Sequence, residues 1–134
     1  MKKLVYILIT LGLVLGCASQ NTPKDQQNNP THSDTLRIAN DSLEYEIIII
    51  EPGFNSWLAT QKPRGYYEQF WLEKRNIFLV NEYNNRVLNS SQYDPNIYQL
   101  QIDYQRNIDY GYEVNYLLYN WFEFFQKQYK QKLR

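Results

Sequence analysis

The chain has one cysteine, Cys17, and one histidine, His32, and both lie ahead of residue 34. Everything after that point must fold without a disulfide and without the thiolate or imidazole ligands of a structural zinc site. An apolar core has to hold it. Roughly a hundred residues remain for the purpose, within the usual size of a single domain. No internal repeat and no second linker interrupts them, so residues 34–134 are expected to fold as one unit.

The segment before residue 34 reads differently. Met1, Lys2 and Lys3 give a positive start, and an uncharged run over residues 4–15 is interrupted only by Tyr6, Thr10 and Gly12. A membrane span needs about 20 apolar residues, whereas the core of a secretory signal needs roughly 7 to 15. The run ends in Val14-Leu15-Gly16-Cys17, which resembles the lipobox of bacterial lipoproteins: an aliphatic residue, a variable one and a small one before the cysteine that is acylated. Residues 1–16 are therefore expected to be a removable signal peptide, and Cys17 the lipid-bearing first residue of the mature protein. An ordinary thiol is the plainer alternative for Cys17, but a thiol used once, for lipid, suits an oxidising compartment. Acyl chains contribute about 0.8 kcal/mol per buried methylene, so a multiply acylated terminus is a stable anchor. Ala18 and Ser19 follow in place of the aspartate that holds such proteins at the inner membrane, and residues 19–29 carry only Asp25 as an acid. The expectation is an outer-membrane anchor with the domain facing the periplasm.

Residues 17–33 form the tether. From Ala18 onward they are rich in Gln, Asn, Ser, Thr and Pro, with no large apolar side chain to offset the entropy of ordering. A coil of that length spans on the order of 20 Å. His32 sits there without ligand-like neighbours and is expected to be solvated.

In the domain, residues 35–39 and 43–50 are β-prone and separated by Asn40-Asp41-Ser42, a hairpin pattern. The second run alternates at first and then reads Ile47-Ile48-Ile49-Ile50 before Pro52-Gly53 stops it. Its β-branched side chains predict a strand that ends buried on both faces. A short helix is expected over residues 54–61, ended by Pro63. A long helix is expected over residues 66–89, although residues 77–80 would also suit a strand. Tyr98, Leu100, Ile102 and Tyr104 alternate with Gln99, Gln101 and Asp103, which predicts a third, half-buried strand. Val114, Leu117, Leu118, Trp121, Phe125 and Tyr129 recur at helical spacing and predict a helix over residues 112–133, capped by Asp109. The fold class is α+β: a small antiparallel sheet of about three strands packed against two long helices.

Chemistry is sparse. Acidic and basic residues are equal in number, and loss of Lys2 and Lys3 with the signal leaves the mature chain slightly acidic, so nucleic acid is not expected as a partner. Lys127, Lys130, Lys132 and Arg134 read as cations favoured at a helix C-terminus. Neither Cys-His nor Ser-His catalysis has its residues in the domain. No CxxC pair, HExxH or phosphate-binding glycine loop occurs, so no metal and no cofactor is assigned. Asp103 and Asp109 flank a loop but lack an EF-hand pattern. Glu44 and Glu46, two apart on a strand, would share a face and in principle serve glycoside hydrolysis, against the plainer reading of a solvated strand edge.

Thirteen tyrosines, three tryptophans and six phenylalanines raise the question of where so many polar-tipped rings go. The last helix carries a second aromatic stripe, Tyr112, Tyr116, Tyr119 and Phe122, which is either a second core face or a surface for a partner. Trp57, Arg64, Tyr66 and Tyr67 make another candidate patch, suited to a peptide, glycan or envelope protein, or else a helix start packed by aromatics.

Three stretches carry a resemblance: Glu46-Ile47-Ile48-Ile49-Ile50-Glu51-Pro52-Gly53-Phe54, Pro63-Arg64-Gly65-Tyr66-Tyr67, and residues 107–120, with Tyr93-Asp94-Pro95-Asn96 between them. Together they resemble an uncharacterised family of small bacterial lipoproteins, defined only as a domain of unknown function, across nearly all of the chain after the tether. The resemblance supports the lipoprotein reading and implies no activity. The functional expectation is a membrane-anchored cell-envelope lipoprotein whose domain binds or builds without catalysis, with acylated Cys17 in membrane lipid. The alternative is an envelope hydrolase acting through carboxylates. Acids gathered in one enclosed cleft would favour the hydrolase, and an open aromatic surface the binding domain.

Overall fold

The computed structural model describes residues 35–134. The expected signal peptide, Cys17 and tether lie outside them. The described residues form an α+β domain around one hydrophobic core. None of their helices is long and apolar enough to cross a membrane.

Strands β1 (Thr35–Asn40) and β2 (Tyr45–Ile50) pair antiparallel, with Leu36 opposite Ile49 and Ile38 opposite Ile47. Leu36 and Ile38 are the buried side chains of β1. A 3-10 turn, Asp41–Leu43, joins the strands, and the Asn40 side chain accepts from the Ser42 N–H at its start. Gly53 follows Pro52 at φ 83°, a left-handed conformation that only glycine adopts without cost, and turns the chain into α1 (Phe54–Leu58). Two long helices follow, α2 (Gln69–Leu88) and α3 (Gly111–Gln128).

Helix α3 is the centre of the molecule. Val114, Leu118, Phe122 and Phe125 are buried, and so are Tyr116, Tyr119, Trp121 and Phe124 on its other sides. A helix apolar nearly all round belongs in a core, and this one has α1, α2 and β1 packed around it. Between α2 and α3 sits a polar pair: Asn76 donates its amide to the carbonyl and to the side-chain oxygen of Asn115. Tyr104 also donates to that side-chain oxygen, at 2.6 Å.

The expected short helix ends at Leu58, and four further features differ from the sequence reading, each for a physical reason. The sheet has two strands, because residues 98–104 form no ladder. Their alternation is only partly that of a packing face: Tyr98 and Ile102 point inward and Gln99, Gln101 and Asp103 outward, while Leu100 between them is exposed. Side chains satisfy the backbone there instead of a strand, since Asn84 both donates to the Ile102 carbonyl and accepts from the Ile102 N–H. Strand β2 is not covered on both faces, for Ile48 is 62% and Ile50 75% exposed. Helix α2 begins at Gln69, after Tyr67 has been used in loop packing. Helix α3 ends at Gln128, where Lys130 turns left-handed at φ 53° and Gln131 closes the end by donating to the Gln126 carbonyl. Leu133 then folds back into the core.

Candidate functional site

The residues singled out for the aromatic patch come together, but as a seam. Arg64 makes two hydrogen bonds to Glu113 and lies over the Tyr116 ring at 4.6 Å. Tyr112 accepts from the Gly65 N–H and donates to the Tyr67 carbonyl, while Tyr116 donates to the Lys62 carbonyl at 2.9 Å. Tyr67 stacks on Trp71 and meets Tyr119 edge-on. The hydroxyls of Tyr112 and Tyr116 thus tie the loop of residues 60–68 to α3. Tyr116 and Tyr119 are buried beneath that loop, and burial pushes both phenols above their ordinary pKa. Trp57 lies elsewhere, edge-on to Phe124. Tyr66 and Arg64 remain exposed at the rim.

The proposed strand-borne pair of acids does not form either. Glu44 caps the 3-10 turn in a left-handed conformation, outside β2, and Glu46 is held by Arg37. Among the described residues no group of three His, Cys, Asp or Glu side chains is placed to hold a metal ion.

A different feature commands the surface. The edge of β2 that faces away from β1 pairs with no strand among the described residues. Across from it run residues 96–103, and between the two lies a groove of about 710 Å³, within the range of ligand sites. Tyr45 closes one end by donating to the Asp103 carbonyl at 2.6 Å. Tyr83, Trp121 and Phe125, all from the core, underlie it. Its lips are apolar and bare: Ile48 and Ile50 on one side and Leu100, 79% exposed, on the other.

One charge is sunk into this groove. Glu51, just past β2, is only 5% exposed. It accepts from the Trp121 indole N–H at 3.4 Å and from the Tyr129 hydroxyl at 3.2 Å. Loss of hydration raises its carboxyl pKa, and those two donors oppose the rise. Glu46 and Asp103 also line the groove, and no lysine or arginine does.

Sequence reasoning missed this site. The signal was present in four isoleucines running straight into Glu51, a length of apolar strand that a two-stranded sheet has no means to cover.

The chain belongs to the family of unknown function DUF6146, whose sequence model matches residues 5–134. No curated protein and no solved structure matches it.

Proposed function

We propose that this member of the family is a lipoprotein of the cell envelope, anchored by an acylated Cys17, with a non-enzymatic domain whose ligand site is the groove along β2. The anchor rests on the positive start, the short apolar run and Gly16 before Cys17. Ala18 and Ser19 favour the outer membrane, with the domain in the periplasm.

The binding half rests on one observation. Ile48, Ile50 and Leu100 stand bare around a strand edge with unused hydrogen-bonding groups. Soluble domains protect such edges with charge, proline or bulges, since an open apolar edge invites pairing with another chain. β2 carries one charge, Glu46 near its start, and the four isoleucines after it carry none of these devices. Catalysis by carboxylates has less to draw on, because Glu46 is engaged by Arg37 and Glu51 by Trp121 and Tyr129.

The test is a photo-crosslinking side chain placed in the full chain, in living cells, at Ile50 or Leu100. Leu88 and Phe70, equally bare but on α2, serve as controls. The expected result is a discrete adduct from the groove positions alone. Equal capture at Leu88 and Phe70, or none at Ile50 and Leu100, would overturn the site.

A further inference from the structure

Resting on the groove as ligand site, we infer that its occupant is an extended polypeptide segment of a partner protein, which adds to β2 as a third strand and presents a lysine, arginine or terminal amine to Glu51.

The backbone requires the first part. In an antiparallel pair each strand directs its alternate N–H and C=O groups to one neighbour and the rest to the other side. β1 satisfies only its own side of β2. A peptide laid along the open edge would satisfy the other by main-chain hydrogen bonds, the usual route by which a sheet edge recognises an extended chain. β2 is six residues long, so it offers about 20 Å of edge at the rise of a strand. The groove beside it is wide because residues 96–103 stand off without a ladder, tied to β2 at the Tyr45 end.

The lips select side chains. Ile48 and Ile50 project from the same face of β2, so an added strand would meet them with every second residue. Apolar residues at alternate positions of the occupant would cover them. The two isoleucines behave as half of a cross-strand contact whose other half comes from elsewhere.

Charge supplies the third requirement. A carboxylate accepts up to about four hydrogen bonds, and Glu51 receives two, both from uncharged donors. Beside the neutral amides of Asn96, Gln99 and Gln101, the other charged residues of the groove are acids, Glu46 and Asp103. A cation on the occupant is thus the complementary group, and its bond to a buried carboxylate would be charge-assisted. A second copy of this chain meets the requirement poorly, since its own open edge carries acids, Glu46 and Glu51, and no lysine or arginine.

The experiment uses the detergent-extracted full chain to select from a displayed library of random octapeptides. The expected outcome is enrichment of sequences with apolar residues at alternate positions and one lysine or arginine at a fixed place. Synthetic copies should bind the Glu51→Gln chain about ten- to a hundredfold more weakly, the loss expected for one charge-assisted bond. Asp103→Asn should bind nearly as the parent does. N-methylation of alternate peptide amides should abolish binding at one parity and spare it at the other. Melting of the Glu51→Gln chain at or above the parent temperature shows that the loss is not unfolding. Selected peptides without a cation, or equal binding by Glu51→Gln, would overturn the charge requirement. Tolerance of N-methylation at both parities would overturn strand addition. If no peptide is enriched while groove crosslinks persist in cells, the polypeptide class fails and the ligand site stands. Self-association of the chain that Leu100→Glu abolishes would put a second copy in the groove instead.

Discussion

Trp121 donates its indole N–H to Glu51 at 3.4 Å, with the Tyr129 hydroxyl on the other carboxylate oxygen at 3.2 Å. Neither donor carries charge, so burial dominates and the folded-state pKa of Glu51 lies above its ordinary value. A raised carboxyl pKa means that, at pH between the unfolded and folded values, the folded protein binds more proton than the unfolded chain. Its contribution to stability is therefore full below the ordinary carboxyl range and is lost as pH rises through the folded value. Glu123 is raised by burial in the same direction. Replacing Glu51 with Gln should leave stability at neutral pH unchanged or improved and flatten its decline above the carboxyl range. Denaturant unfolding across that window, parent against variant, measures this. A steeper decline in the variant would mean that the carboxylate is stabilised by its site.

Asn115 and Asn76 should respond unequally. Asn115 receives hydrogen bonds from Asn76 and Tyr104 and donates to the Gly111 carbonyl, so Asn115→Leu strands several buried groups and should cost about 2 to 4 kcal/mol. The Asn76 side-chain oxygen has no partner, and Asn76→Leu leaves Asn115 still bonded to Tyr104 and Gly111. That variant should lose at most about 1 kcal/mol. Equal losses in urea titrations would show that the two amides act as one unit.

The tyrosine hydroxyls of α3 should act as fasteners for the loop of residues 60–68. Tyr112→Phe removes the bonds to Gly65 and Tyr67 and should cost about 1 kcal/mol, with faster tryptic cleavage after Arg64. Arg64→Ala breaks an ion pair that is half exposed on both sides and should cost less than about 1 kcal/mol. A larger loss from Arg64→Ala than from Tyr112→Phe would assign the fastening to the ion pair.

Much of this architecture was legible in the residues. Val114, Leu118, Trp121 and Phe125 recur at helical spacing, and the structure buries all four in α3. The hairpin followed from Asn40-Asp41-Ser42 between two β-prone runs. The alternation of Tyr98 to Tyr104 was ambiguous because period two does not report whether a neighbour supplies a ladder, and without one Leu100 is left bare. Asn84, distant in sequence, took that place. The second aromatic stripe was equally ambiguous, since helical spacing cannot distinguish a partner from a loop. Tyr116 reaching Lys62 shows that here it meets a loop. Glu51 was hidden for a related reason: its importance comes from Trp121 and Tyr129, some seventy residues away by the course of the chain.

Anchoring is tested independently of the domain. Cys17→Ala should shift the protein from the membrane fraction to the soluble fraction of the envelope and abolish labelling by a fatty-acid probe. Unchanged fractionation and labelling would contradict acylation at Cys17.

The groove is tested most directly by amide hydrogen exchange across Tyr45–Ile50 of the full chain in detergent, read residue by residue. Amides directed at β1 should exchange slowly and those on the open edge fast, in strict alternation, and a peptide selected for binding should slow the fast set alone. Uniformly slow exchange along β2 without peptide, or no change in the fast set with it, would contradict an open edge that receives a strand.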